Sequence, residues 1–538
     1  MPDAGVSGAV WCPPRSLAEV VAAARAVDPA ARLVAGAPDP ADAAAVVVDG
    51  VELSSAAVRP GSLFAALPGG RHHGAEFAVQ ARAAGAVAVL SDRPDPVLPT
   101  VLVDDPRAVL GPVAAWLHGH PSQDLAVHGV TGTNGKTSTC ALLVAGLRHA
   151  GRRAAWSTTL ETVTPAGRAD AGRTTAEAPA VQAHLAAARG AGATDAVLEV
   201  SSHGLALDRV AGTRFRTGVF TNLTPDHLDL HRDVESYFAA KASLFVPERC
   251  DTAVVVVDDE WGRRLARTTR CPTVTVSATG RPADWTVGEV TADASGTAFR
   301  LRGPQVDERV HLALLGAHQA DNAAAAVAAL VVSGLDPAAV VAGMADASVA
   351  GRLERVDAGQ PFDAFVDFAH NVGGHDRVLP FLRSLTAGRL VVVAGVTGHR
   401  DVAKRAALGE RIARHADLLV VTDESPHSED PAALRAALAT GARSASRSVQ
   451  VVDEPDRGTA LARAVAATGP GDVLVVVGRG ADPVQVRDGR ATSFDDRTEL
   501  RRLLTACTPR PRTPSTRSAT GRGAAAATRP PAPLPSVP

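Results

Sequence analysis

Short runs of branched apolar residues recur along the chain, separated by longer Ala-rich stretches with helical spacing. Such runs, bounded by Gly, Pro, Asp or Ser, read as buried strands, and their alternation with helices predicts parallel sheets. A helix over 17–27 and apolar runs at 45–48, 86–90 and 101–103 predict a small α/β domain over residues 1–124. Runs at 125–127, 196–200, 217–220 and 253–257 predict a second, mostly parallel sheet over 125–348. Runs at 365–368, 390–393, 418–421 and 473–477 predict a third α/β domain over 349–505. From 506 to 538 the chain turns to Pro, Arg, Ala, Ser and Thr with no acid and no periodic apolar face, so a disordered tail is expected there.

The stretch from Gly129 through Val130, Thr131, Gly132, Thr133, Asn134 and Gly135 to Lys136 and Thr137 carries the strongest chemistry. It follows the apolar run at 125–127 and opens a predicted helix over 138–150. Strand, Gly-rich loop, Lys-Thr and helix form a phosphate cradle. Backbone N–H groups turn toward the anion, and the helix N-terminus adds partial positive charge. Lys136 is placed to bridge the β- and γ-phosphates and the Thr137 hydroxyl to hold Mg²⁺. The usual first glycine is Val130 here, so Gly129 and Gly132 are expected to make the turn.

Polar residues crowd the ends of the neighbouring runs. Glu199 is followed by Ser201, Ser202 and His203, and Phe220 by Thr221, Asn222, Leu223, Thr224, Pro225, Asp226, His227, Leu228 and Asp229. Ligands of parallel sheets sit at the strand C-terminal ends, which favours a site over a set of turn formers. Lys241 lies one helical turn beyond Tyr237, where a surface lysine is the ordinary reading. Composition changes that picture. Of 55 basic residues only three, Lys136, Lys241 and Lys404, are lysine. Each surviving lysine marks a position where a planar, permanently charged guanidinium would fail.

A formal charge of −2 gives no basic excess for nucleic acid, and no apolar run is long enough to span a bilayer. The first residues do not read as a signal peptide, and five scattered cysteines form neither a disulfide framework nor a metal spacing. A reducing cytoplasm is therefore expected.

Together these residues resemble the Mur ligase family, and within it the branch that adds the third residue of the peptidoglycan precursor. The carriers are 129–137, Glu-Val-Ser-Ser-His-Gly at 199–204, the run 220–229, 239–245, Gly351-Arg352-Leu353-Glu354, and Val-Asp-Phe-Ala-His at 366–370. Pro60 to Gly69 resembles the family's UDP-binding domain, which argues against the folylpolyglutamate synthetases. The resemblance implies an α/β, three-domain architecture: a central P-loop mononucleotide-binding parallel sheet and a Rossmann-like C-terminal domain. It implies a cytoplasmic monomeric enzyme with ATP and Mg²⁺ as cofactors. Its partners would be a UDP-N-acetylmuramyl dipeptide and a free amino acid, joined through an acyl phosphate. The alternatives are a Mur-type amide ligase acting on an acceptor outside the cell wall, and a nucleotide-binding relative without activity.

By the same resemblance, Gly132, Thr133, Asn134, Gly135, Lys136, Thr137 and Ser138 hold phosphate, and Thr137, Glu199, His227 and a carbamylated Lys241 serve metal. Lys136, Glu199, His227 and Lys241 are the implied catalytic set. Asn322, Arg352, Asp367 and His370 match nucleotide-binding positions. Thr174, Thr175, Ser202 and Arg209 match positions for the muramyl dipeptide, and Ser55 the uridine contact. The amino-acid pocket departs most. The Asp-Asn-Pro-Arg of diaminopimelate-adding members reads Glu424, Ser425, Pro426, His427, and Gly-Lys-Gly-His-Glu reads Gly478, Arg479, Gly480, Ala481, Asp482. Acids remain and the carboxylate-gripping Arg is gone, so a basic side chain such as lysine, ornithine or diaminobutyrate is expected, with Arg400 on the α-carboxylate.

Overall fold

The computed structural model describes residues 12–36, 40–70, 72–304 and 306–507, and the tail expected beyond 505 lies, past Cys507, outside the described residues. Three helix-flanked sheets follow one another along the chain. The first has five strands in the order Arg32–Val34, Thr100–Leu102, Ala88–Ser91, Ser62–Ala65, Gly50–Glu52, all parallel except the antiparallel edge at Arg32–Val34. The apolar run at 45–48 supplies only the short strand Val47–Val48, because Ala45 closes the helix Pro40–Ala45.

The middle sheet has eleven strands. Its parallel centre runs Ala154–Ser157, Asp195–Glu199, Ala126–Thr131, Phe215–Phe220, Cys250–Val256, Thr273–Ser277, Trp285–Asp293. The apolar runs mark the strands buried on both faces. Two antiparallel extensions escape that pattern: the hairpin Glu161–Thr164 with Gly167–Asp170, and Gly296–Gly303 with Val306–Leu312. In the second extension Phe299, Leu301, Val310 and Leu312 face the core while Arg302, Asp307 and Glu308 face water. One-sided burial gives alternation, which is a weaker signal than a continuous apolar run.

Helix Lys136–His149 packs on this sheet beside His318–Val332, whose Ala323, Ala324, Ala325 and Ala326 are wholly buried. Small side chains there let the helix approach the sheet closely. The phosphate-loop helix starts two residues before the sequence expectation, taking Lys136 and Thr137 into its first turn.

The third sheet has six strands, with a parallel core ordered Asp363–Val366, Val473–Val476, Leu390–Ala394, Leu418–Val421, Gln450–Asp453. A hairpin, Val484–Arg487 with Arg490–Ser493, forms a separate two-stranded sheet. Among the described residues, no helix is long and apolar enough to cross a membrane.

Candidate active site

The C-terminal strand ends of the middle and third sheets open into one cleft of about 450 Å³. Its phosphate-loop wall is built by local geometry. Gly132 has φ +146 and Gly135 φ +90, backbone that L side chains rarely adopt. A Cβ on Gly132 would sit 1.9 Å from Thr221 Oγ1, and one on Gly135 would sit 2.3 Å from Asn322 Oδ1. The turn is therefore made by Gly132 and Gly135. Gly129, assigned that role from the sequence, lies inside strand Ala126–Thr131, where a Cβ would strike the Phe215 ring at 2.7 Å. It is a packing glycine.

The end of the neighbouring strand braces the loop. Thr133 N donates to Asn222 O (2.8 Å), Asn134 N to Asn222 Oδ1 (3.1 Å), and Thr221 Oγ1 to Asn134 O (2.7 Å). Ser138 follows Thr137 in the helix and is buried. Lys136 Nζ donates to the carbonyls of Gly132 (3.1 Å) and Thr133 (2.9 Å). Burial lowers the Lys136 pKa, against the pull of Glu199 and Asp226.

Lys241 is no surface residue. It is 1% exposed, its Nζ donates to Gly132 O at 2.8 Å, and it lies 4.5 Å over the Tyr237 ring. Two lysines thus share one loop carbonyl. Burial, reinforced by Lys136, drives the Lys241 pKa well below the ordinary lysine value, which favours the neutral, nucleophilic amine. Tyr237 is fixed by Thr133 Oγ1 at 3.1 Å.

Glu199 is 3% exposed and accepts from Thr137 Oγ1 (3.1 Å) and Thr159 N (3.0 Å). Arg352, from the third unit, donates through Nη2 to the same Thr137 hydroxyl at 3.2 Å and stacks on Phe368 at 4.1 Å. Asp367 accepts from the backbone of Leu353 (2.7 Å) and Ala369 (2.7 Å); burial raises its pKa, and Arg352 opposes that. Asn322 Nδ2 donates to Gln319 Oε1 at 2.9 Å, so the buried Gln319 holds it in place.

His227 has φ +55 and its ring meets His203 edge-on at 5.0 Å. Burial takes His227 to a pKa of about 3, despite Asp226, and takes His370 and His203 to about 4, so all three imidazoles are neutral near pH 7. Asp226 itself, 3% exposed, would be pushed up by burial, but His370, His227 and Lys404 hold it below the usual carboxylate range. It belongs to the site, and nothing in the sequence reading had separated it from the turn formers around it. Lys404 is likewise part of the cleft wall, and its rarity as a lysine was the signal that pointed there.

On the side of the middle sheet, Thr175 Oγ1 donates to Glu199 O (2.9 Å) and accepts from Ser201 N (2.9 Å). Thr174 Oγ1 accepts from Thr159 Oγ1 at 3.1 Å. Arg209 donates to Thr175 O at 3.2 Å and pairs with Glu177 at 2.9 Å, leaving a buried Nε unpartnered. Ser202, buried, opens the helix Ser202–Ala206. Ser55 is elsewhere: it lies in the first unit, its Oγ donating to Gln80 Oε1 at 3.0 Å, and does not line the cleft.

The far end of the cleft is lined by Arg400, Glu424, Ser425, His427, Gly478 and Asp482. The Thr397 hydroxyl pins Glu424, 5% exposed, and a Cβ on Gly478 would stand 2.5 Å from Glu424 Oε2. Ser425 Oγ accepts from Val486 N at 3.2 Å, and His427 N donates to Val486 O at 3.1 Å, which fastens the hairpin as a wall. Val484 and Val486 make that wall apolar. The His427 ring stacks on His399 at 5.5 Å; burial, then His399 and Arg400, lower its pKa below the ordinary histidine value. Arg479, 2% exposed, donates to Asp482 O (3.0 Å) and Phe494 O (2.8 Å) while its Nε and Nη1 have no partner.

Comparison with known proteins agrees with this arrangement. Residues 130–330 match the Mur ligase middle domain, 351–480 the Mur ligase glutamate ligase domain, and 47–114 the Mur ligase family catalytic domain. A UDP-N-acetylmuramoyl-L-alanyl-D-glutamate–2,6-diaminopimelate ligase of Streptomyces coelicolor is 44% identical over 85% of this chain and 92% of its own length. A UDP-N-acetylmuramyl-tripeptide synthetase of Leifsonia xyli is 41% identical, over 85% and 92%. A solved 2,6-diaminopimelate ligase superposes with a TM-score of 0.59 at 28% identity, covering 85% of this chain and 94% of that one. The MurF structure from Acinetobacter baumannii shares the fold at TM-score 0.64 and 17% identity, over 92% and 98%. With three family domains matched and relatives above 40% identical over 85% of its length, the chain belongs to the Mur ligase family of ATP-dependent amide ligases.

Proposed function

We propose that this enzyme joins a basic diamino acid to the D-glutamyl carboxylate of UDP-N-acetylmuramyl-L-alanyl-D-glutamate in the cytoplasm, with ATP converted to ADP and phosphate. The domain limits would be 1–124 for UDP binding, 125–348 for ATP and 349–505 for the amino acid. In the first step a carboxylate oxygen attacks the γ-phosphorus and the bond to ADP breaks. In the second the neutral amine attacks the acyl carbon, phosphate leaves, and the nitrogen gives up a proton. Both steps bring anions together, so they need aligned N–H groups and cations rather than a covalent nucleophile.

Lys136 and the loop from Gly132 to Ser138 would hold the phosphates, with Asn322, Arg352, Asp367 and His370 on the nucleotide. Among the described residues, no three His, Cys, Asp or Glu side chains group closely enough to hold a metal by themselves. That fits Mg²⁺, which keeps waters and shares substrate phosphates. Thr137, Glu199, His227 and a carbamylated Lys241 would supply its protein ligands, and the ion would neutralise developing phosphate charge. The low-pKa Lys241 amine is the form that adds carbon dioxide. Thr174, Thr175, Ser202 and Arg209 would orient the dipeptide and Ser55 the uridine.

The amino-acid preference rests on one observation. The position of the expected arginine holds His427, an imidazole kept neutral, in a cleft lining it shares with Glu424, Asp482 and the apolar Val484 and Val486. Glu424 and Asp482 suit an ammonium, and residue 427 presents no cation to a second carboxylate. Arg400 would take the α-carboxylate, with Ser425 and Gly478 shaping the pocket. A second reading, 2,6-diaminopimelate, is favoured by the relatives' names and by the two unpartnered nitrogens of Arg479. Phosphate release from ATP with UDP-muramyl-Ala-Glu and a panel of lysine, ornithine, diaminobutyrate and meso-diaminopimelate separates the two. A clear preference for meso-diaminopimelate overturns the basic-substrate reading.

A further inference from the structure

Asp226 sits where the middle and third units meet. It belongs to the middle unit, yet three of its partners come from the third. Asn371 Nδ2 donates to its Oδ2 at 2.9 Å, Lys404 Nζ lies 3.5 Å from its Oδ1, and His370 Nε2 lies 3.8 Å from its Oδ2. Asn371 carries the contact onward. It exchanges two hydrogen bonds with Asn134 of the phosphate loop (3.2 and 3.3 Å), and its Oδ1 also caps the helix Val372–Ser384 by accepting from Gly374 N at 2.8 Å. The first turn of that helix lies against the middle unit so closely that a Cβ on Gly373 would come within 2.8 Å of Thr224 Oγ1.

Lys404 is the second residue of helix Ala403–Ala413, where a cation runs against the helix dipole. Its side chain is 16% exposed, so it is not placed there for solvation. It is also one of only three lysines in the chain, and the other two both donate to Gly132 O. The helix that carries it begins just after Arg400, at the amino-acid end of the cleft. A compact ammonium reaching across to a buried acid explains all of these.

We propose that Lys404 is a positioning residue. Through Asp226 it fastens the amino-acid-binding unit onto the phosphate loop, in register with the Asn371–Asn134 exchange, so that pocket and cradle share one cleft. Lys404 does not act on the reacting atoms; it sets the distance between them. This extends the function proposed above, and its structural half stands without it.

The test uses the full-length chain in four forms besides wild type: Lys404→Met, Lys404→Arg, Asp226→Asn, and the double variant Lys404→Met with Asp226→Asn. Small-angle scattering reads the radius of gyration, and phosphate release with the preferred diamino acid reads kcat and KM. Lys404→Met should enlarge the particle and lower kcat by about tenfold or more, as for a coupled pair, while KM for the UDP-linked substrate stays within about twofold. Lys404→Arg, which keeps the charge but not the compact ammonium, should fall between wild type and Lys404→Met in both readouts. The double variant should be no worse than the poorer single one. The proposal is overturned if Lys404→Met matches wild type in both readouts, if Lys404→Arg fails as Met does, or if the losses add. Should Asp226→Asn not fold, the Met and Arg variants still decide. If wild type releases no phosphate with any diamino acid, the proposed function fails, and the scattering comparison still judges the clasp.

Discussion

Replacing His427 by Arg should turn the enzyme toward meso-diaminopimelate. His427 has φ +56 and is half-buried at the far end of the cleft, stacked on His399 and beside the exposed Arg400. Its imidazole is neutral near pH 7, so the wild-type pocket presents no charge at this point to a second carboxylate. Arg adds a fixed charge and a planar fork. A charge-assisted, bidentate pair with a carboxylate contributes about 1.5–3 kcal/mol. Repulsion from Arg400 in a solvated setting costs only about 0.5 kcal/mol at ~8 Å. The left-handed backbone is no obstacle beyond what His427 already meets, since neither residue is glycine. At about 1.4 kcal/mol per decade, the net gain is a roughly 5- to 60-fold rise in the ratio of kcat/KM for meso-diaminopimelate over that for lysine. The assay is ADP-coupled phosphate release with each amino acid at saturating ATP and UDP-linked substrate. A ratio that moves by less than about twofold would falsify the pocket assignment, because a bidentate contact cannot be worth so little.

Three other outcomes follow from the geometry. Gly132→Ala should abolish nucleotide binding in calorimetry and lower stability by about 2 kcal/mol or more, since the new Cβ would lie 1.9 Å from Thr221 Oγ1 at φ +146; unchanged ADP affinity would be contrary. Lys241→Arg should lose about 100-fold or more in rate with the fold intact, and wild-type activity should respond to bicarbonate after degassing while the variant's does not; a rate near wild type would sink the carbamate reading. Stability should fall as pH drops from about 6.5 toward 4. His184 and His375, buried and held at about 4, stay neutral in the folded chain while the unfolded chain takes up protons from 6.5 downward. His184→Leu should flatten that loss by on the order of 1–3 kcal/mol in denaturant titrations, and an unaltered pH profile would be the contrary result.

How far the sequence reaches is plain from particular residues. Strands buried on both faces announce themselves as apolar runs, and Lys136 with Thr137 sits at the only kind of junction that makes a phosphate loop useful. Local patterns carry that information because backbone geometry and burial act over a few residues. The pattern misplaced Gly129, because a glycine that turns the chain and one that makes room for a ring across the sheet look alike in one dimension. It undervalued Lys241, which is at helical spacing from Tyr237 in either a surface or a buried helix. Only the pairing of strands Ala126–Thr131 and Phe215–Phe220 shows that its amine reaches Gly132 O.

The sequence by itself determined the alternation of strand and helix, the phosphate loop and the loss of the arginine at 427, since each is written in neighbouring residues. Tertiary structure alone decided that Asp226, Asn371 and Lys404, up to 178 positions apart, meet at one buried carboxylate. It also decided that Arg352 reaches the Thr137 hydroxyl across 215 residues. Those contacts depend on how two separately folded sheets set their strand ends against each other, and no local pattern of apolar and polar positions encodes that.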